Sequence, residues 1–361
     1  MLGSTYFTTF LTLKLHQMAV SEGLIGLVHA AFSIGFVIGT LKAEPVIEKI
    51  GHRNSFVFFS LLIGASIFLN QYFTSLSGWI FLRLVSGICL AALYVIIESL
   101  YLLVSPLEKR GQVLSIYMIA LYLSQSASQF FYNLIPLNSD TIFWILALLI
   151  TVAVLPMARV KNPIVEKESM KIKQVIKQQG LSKLGLHASF ASGVILTSLY
   201  SFLPLLAKKL DLSVSLAMSA LILGGLTFQW PIGYLADRFN KKKVLFIISC
   251  FCIIPCLLPL IFYQNPIFNY ACVILIGGLS FSFYPLAISA VCENKPKEEL
   301  TALTGLVMLL YSAGMVFGPI FTPLFNLLGG VYGLFIQVVL FCVIIGIHTF
   351  YSLVKKQPVE S

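Results

Sequence analysis

Two charged side chains lie deep inside the long apolar stretches of this 361-residue chain, Arg83 and Glu98. A guanidinium stays charged at any physiological pH and presents a planar set of donors to a carboxylate, phosphate or carbonyl group. A carboxylate in apolar surroundings can carry a proton or act as a switchable partner for a base. Both residues fall in one stretch, Gly78 to Val104. Fifteen helical residues separate them by about 22 Å along the axis and by about 60° around it, so they do not pair and serve different purposes. Arg83 lies about 8 Å from one end of that helix, where it either lines an internal cavity or snorkels outward. Glu98 lies about 9 Å from the other end. There it is within reach of loops carrying Lys49, Arg53 and Arg110, as a gate that pairs with this basic cluster or as a proton carrier.

Other chemistry is not signalled. No Ser/His, Asp/Asp or metal-ligand constellation lies in the apolar stretches, so catalysis is not expected. The five histidines, His16, His29, His52, His187 and His348, show no evident partner. The seven cysteines lie in or at the end of apolar stretches and read as small packing residues, and Cys250, Cys252 and Cys256 lack the companions of a zinc site. No metal and no cofactor is expected. A Gly-rich lysine loop for ATP is missing as well.

The elements that must position Arg83 and Glu98 follow from composition. The chain is 58% apolar and 11% charged, against roughly 45–50% and roughly 25% in soluble domains. That excludes a soluble enzyme and a disordered chain. Apolar runs of the length that crosses a bilayer recur throughout. They run from Met1 to Leu15, Gly23 to Leu41, Ser55 to Phe73, Gly78 to Val104, Gly111 to Asn133, Thr141 to Met157, Leu186 to Leu206, Ser213 to Ile232, Val244 to Tyr263, Ile267 to Val291, Leu303 to Leu328 and Gly330 to Val354. They lack the alternation of barrel strands, and in lipid only helices and closed barrels satisfy every backbone group. An all-α membrane protein of twelve transmembrane helices is expected. The first covers only about 22 Å, so a true start upstream of Met1 is expected, with a tilted or shortened first helix as the alternative.

The 24 Lys and Arg exceed the 14 Asp and Glu by ten. Such a surplus suggests nucleic acid in a polar protein, but here it marks orientation. All basic residues except Lys14, Lys208, Lys209 and Arg83 follow even-numbered spans, so those loops and both termini are expected in the cytoplasm. The lysine-rich stretch from Lys161 separates six spans from six. The expected organisation is an N-terminal bundle (1–160), a cytoplasmic linker (161–184) with an interfacial helix or a simple tether, and a C-terminal bundle (185–361).

The halves repeat a signal. The loop after the eighth span reads Gly233-Tyr-Leu-Ala-Asp237-Arg238, followed by Lys241 to Lys243, and the loop after the second reads Glu44-Pro-Val-Ile-Glu48-Lys49-Ile-Gly51-His52-Arg53. Each sets an acid, a base and then a basic cluster at the same place in its half. Here the sequence resembles the major facilitator superfamily of secondary transporters, whose corresponding loop carries Gly-x-Leu-Ala-Asp-Arg-x-Gly-Arg-Lys. Arg83-Leu-Val-Ser-Gly87 is similar to the Arg-x-x-x-Gly motif of that family's fourth helix. The stretches Gln229 to Arg238 and Arg83 to Glu98 also resemble a small, poorly characterised bacterial branch of it. One departure stands out. The Gly-x-x-x-Gly-Pro string found in the fifth helix of drug/proton antiporters is missing there and occurs in the eleventh span, at Gly314, Gly318 and Pro319.

The resemblance implies a fold of two pseudo-symmetric six-helix bundles and secondary active transport of a small organic solute by alternating access, coupled to protons. A uniporter and a non-transporting receptor or scaffold are the alternatives. It implies a cavity lined by the first, fourth, seventh and tenth helices. Substrate or proton coupling would then fall to Arg83, Glu98, Tyr94, Tyr200, Tyr284 and, on the fifth helix, Gln125. Glu48, Lys49, Arg53, Arg110, Asp237 and Arg238 would form a conformational latch. The partners implied are the solute, protons and the lipid bilayer, with no nucleic acid, for a monomer in a bacterial inner membrane.

Overall fold

The computed structural model describes residues 2–73, 75–104, 110–137, 139–157, 182–262, 264–293, 295 and 297–354. Those residues are nearly all helical and include no strand, as expected where backbone groups must be satisfied within each segment. The chain divides into two compact units, Met1–Lys167 and Glu168–Ser361.

In the first unit, α1 (Leu2–Gln17) is followed by α2 (Glu22–Leu69), α3 (Leu76–Val104), α4 (Arg110–Ser128), a single turn α5 (Phe131–Leu134), α6 (Thr141–Val152) and α7 (Val154–Met157). The second and third apolar stretches thus run on as one helix. It is broken at Gly51, whose φ of 82° and ψ of 162° suit a residue without Cβ. The glycine of the loop motif is therefore the joint between two spans. Short α1 is held by burial: Tyr6, Phe7, Phe10 and Leu11 are almost fully enclosed. Phe143 of α6 meets Phe10 edge-on at 5.4 Å between centroids.

The second unit comprises α8 (Lys183–Lys209), α9 (Val214–Arg238), α10 (Lys241–Ile261), α11 (Pro266–Val291), α12 (Lys297–Gly329), a 3-10 turn at Gly330–Tyr332 and α13 (Gly333–Val354). Side chains preceding α8 to α11 cap them. Ser182, Ser213, Asn240 and Asn265 accept hydrogen bonds from first-turn amides, satisfying donors that a helix start leaves open. Pro204, Pro231, Pro285 and Pro319 lie inside helices that continue past them.

Helices pair where small residues let backbones touch, the main route to association when lipid removes the hydrophobic drive. A Cβ at Gly35 of α2 would fall 2.0 Å from the Leu84 carbonyl oxygen of α3, and one at Gly87 of α3 would fall 2.0 Å from the Phe32 oxygen of α2. The second unit repeats this reciprocity. Gly224 of α9 would strike the Ile274 oxygen of α11 at 2.1 Å, and Gly277 of α11 the Leu221 oxygen of α9 at 2.0 Å. The second span therefore locks to the fourth as the eighth does to the tenth.

The other pairing differs between units. Gly193 of α8 and Gly314 of α12 face each other's backbones in the same way. In the first unit α1 is instead tied to the turn that follows α4, by the Thr9 hydroxyl donating to Gln129 Oε1 at 2.8 Å. The displaced glycine string of the eleventh span is thus a packing seam against the seventh.

Gly35→Leu and Gly277→Leu should each force a helix pair apart and abolish the monodisperse peak in detergent gel filtration. Gly23→Ala, where a Cβ meets nothing within 4 Å, should leave that peak intact. A normal peak for the leucine variants would contradict the close-packed seams.

Candidate substrate and coupling site

Arg83 lies seven residues into α3, and its side chain is 1% exposed. It does not snorkel to a surface. The Arg-x-x-x-Gly spacing explains how. Residues four apart share a helix face, so Gly87 brings α2 against the face from which Arg83 projects, and the guanidinium carbon reaches 4.3 Å from the Phe32 ring centroid. The Phe7 ring lies at 5.7 Å. Cation–π attraction of this kind offsets part of the cost of burying the charge.

Polar contacts to the guanidinium come from one nitrogen. Nη2 donates to Thr8 Oγ1 at 3.3 Å and to His29 Nδ1 at 3.4 Å. Thr8 passes its own proton to the Ser4 carbonyl oxygen at 3.4 Å. His29 Nε2 lies 2.7 Å from Thr12 Oγ1, and Thr12 donates to the Thr8 carbonyl oxygen at 3.1 Å. These bonds fix the imidazole. Nδ1 accepts from a cation and Nε2–H donates to Thr12, so His29 is the neutral Nε2–H tautomer. The sequence offered His29 no partner, and that reading is corrected here: it contacts Arg83 and Thr12. Arg83 Nε and Nη1 are buried and donate no hydrogen bond among the described residues, and no carboxylate there pairs with Arg83.

Further along α3, the Tyr94 hydroxyl lies near Gln125 of α4, Glu98 and Tyr122. The Phe36 ring lies 6.1 Å from that of Tyr94. Arg83 and Tyr94, eleven residues apart, share one face of α3. Glu98 is exposed. In the second unit, Tyr200 meets Phe281 at 6.0 Å and Tyr284 meets Tyr311 at 4.6 Å between centroids.

Among the motif residues, Asp237 and Arg238 are exposed, and the Arg238 guanidinium covers the Tyr234 ring at 4.4 Å. Lys241, read from sequence as marking orientation, makes an ion pair with Glu293 at 3.3 Å. Glu48, Lys49 and Arg53 fall on the α2 segment around Gly51. The Arg110 side chain lies outside the described residues, as does most of the 161–184 stretch. His52 is nearly enclosed, with Nε2 3.1 Å from Ser99 Oγ, and burial pushes its imidazole below the ordinary histidine range.

Sequence reasoning missed Thr8, His29 and Phe32. The available signal was periodicity. His29, Phe32, Phe36 and Gly39 recur at helical spacing in the second span, on the side that meets the Arg83 helix.

The model of the Major Facilitator Superfamily matches residues 1–281 and 188–361. An uncharacterized MFS-type transporter of Yersinia pseudotuberculosis serotype O:3 (strain YPIII) is 30% identical over 330 residues, covering 88% of this chain and 83% of the relative. The uncharacterized MFS-type transporter YcaD of Escherichia coli O17:K52:H18 is 28% identical over 323 residues, again covering 88% and 83%. Among solved structures, the nucleoside transporter NupG superposes with a TM-score of 0.78 at 15% identity, covering 99% of this chain and 97% of its own. A D-xylose-proton symporter gives 0.75 at 14% identity, covering 95% of each. These structures share the fold. The chain belongs to the Major Facilitator Superfamily of membrane transporters.

Proposed function

We propose that the protein is a secondary active transporter that moves a small organic solute with an anionic or carbonyl group across the bacterial inner membrane. It works by alternating access, coupled to protons, with both termini in the cytoplasm. The observation that carries this reading is the buried guanidinium of Arg83, with Nε and Nη1 unpartnered. A buried charge without a counter-ion is costly, by several kcal/mol in general, and ionisable residues inside membrane spans mark substrate or ion pathways. An oxygen-bearing solute supplies the acceptors that the described residues do not. The proton symport named for one solved neighbour is in keeping with coupling, although that likeness extends to the fold alone.

His29 supplies the coupling step in this proposal. Its Nδ1 lone pair is engaged by Arg83, so it takes up a proton only when the guanidinium turns away, as it does on engaging an anion. Solute and proton then load together. Tyr94 and Gln125 are the further solute or coupling residues of the first unit, and Tyr200 and Tyr284 those of the second. Glu98 acts as a gate toward Lys49, Arg53 and Arg110. Glu48, Lys49, Arg53, Asp237 and Arg238 act as a latch between conformations, as in the family the chain belongs to.

Proteoliposomes offered a bacterial metabolite extract under an inward acid gradient test this reading, with mass spectrometry of the lumen as readout. Wild type should accumulate one anionic or carbonyl-bearing class, and collapse of the gradient should abolish accumulation. A gradient-independent signal would identify a uniporter. His29→Gln should lose accumulation but retain exchange of the solute at equal pH, whereas Glu98→Gln should lose both; exchange surviving in Glu98→Gln would make that residue a coupling carboxylate.

Arg83→Met should lose transport and yet gain stability, because an uncompensated buried charge is replaced by a shorter, flexible and uncharged thioether. Its unfolding temperature in detergent should rise by about 3 °C or more. A fall would show that the guanidinium is retained for packing.

A further inference from the structure

His187 and His348 stand 161 residues apart in sequence, yet their Nδ1 atoms lie 3.1 Å apart. The ring centroids are 4.8 Å apart, with an interplanar angle of 48°. His187 is in the second turn of α8 and His348 is six residues before the end of α13, two helices that pack together. His187 is exposed and His348 half-buried. Two imidazoles facing each other through Nδ1 hold one shared N–H···N hydrogen bond at most, and that bond requires a different tautomer on each ring.

The same separation suits a metal ion. Nitrogen binds zinc at about 2.0–2.1 Å, so two nitrogens 3.1 Å apart subtend about 97° at the ion, between the right angle of an octahedral or tetragonal centre and the tetrahedral angle. We propose that His187 and His348 form a chelating site for a divalent transition-metal ion, copper(II), nickel(II) or zinc(II), that clips the start of α8 to the end of α13. Imidazole nitrogens select these ions over magnesium and calcium, which take oxygen ligands. Among the described residues no third His, Cys, Asp or Glu completes the group, so water fills the remaining positions, which the exposure of His187 permits. Lys242, whose Nζ donates to Ser352 Oγ at 2.9 Å one turn beyond His348, keeps positive charge near and restricts the site to modest affinity. Such an ion stabilises the second unit without touching Arg83, so the site is separate from the transport machinery proposed above.

The test uses the full chain, purified without a histidine tag and stripped with chelator, and titrated with copper, nickel and zinc salts by calorimetry and thermal unfolding. Wild type should bind one ion and unfold at a higher temperature with it. His187→Gln and His348→Gln should each weaken binding at least about tenfold and lose the rise, while melting as wild type does in chelator. Electron paramagnetic resonance of the copper-loaded wild type should show two equatorial nitrogens, a readout that needs no variant. Failure of wild type to bind at sub-millimolar metal, binding unchanged in both variants, or a copper spectrum with fewer than two nitrogen ligands would each overturn the site.

Discussion

A guanidinium enclosed in the first unit sets the terms for everything around it. Arg83 is almost fully enclosed, and among the described residues acceptors reach one of its three nitrogens, through Thr8 and His29, with the Phe32 face beneath. Burial of this kind is tolerated only when its surroundings are fixed, because a small displacement would leave the charge with nothing. Thr12, which anchors the far nitrogen of His29, and Ser4, which takes the Thr8 proton, therefore belong to the same unit of structure. Three helices, α1, α2 and α3, converge on a single charge.

That convergence depends on how closely backbones approach. Gly87 lies one turn from Arg83 and Gly35 one to two turns from His29, and their reciprocal contacts draw α2 and α3 together. The second unit keeps the seam, through Gly224 and Gly277, without the charge. The two units thus share the packing device while their chemistry differs, with an arginine network in one and tyrosine contacts in the other. The packing itself differs elsewhere: a Thr9–Gln129 hydrogen bond ties α1 to the turn after α4, whereas a glycine seam joins α8 to α12.

Much of this was legible in the sequence because lipid simplifies the code. Apolar length, loop charge and the repeated acid–base loop lead to the fold class and the family, and Arg83 stands out as a cation in an apolar run. What surrounds Arg83 was not legible. His29 is one residue in an apolar stretch, and its partners come from two other helices, so no spacing along the chain pairs them. The approach of His187 to His348 escapes for the same reason, since it depends on the packing of α8 against α13. Gly51 was visible as part of a loop motif, yet its role as the break in one long helix depends on a dihedral angle that sequence does not display.

The account rests on Arg83 being a solute-binding cation. Its most direct test is a side-by-side comparison of wild type and Arg83→Lys for the transported solute, measured as binding to purified protein by calorimetry at constant pH. Lysine keeps the charge but loses the planar array of donors, so affinity should fall at least tenfold, by about 1.4 kcal/mol, while the protein remains folded and monodisperse. Equal affinity in the two proteins would contradict it, and would leave the buried guanidinium as a structural charge with no part in recognising the solute.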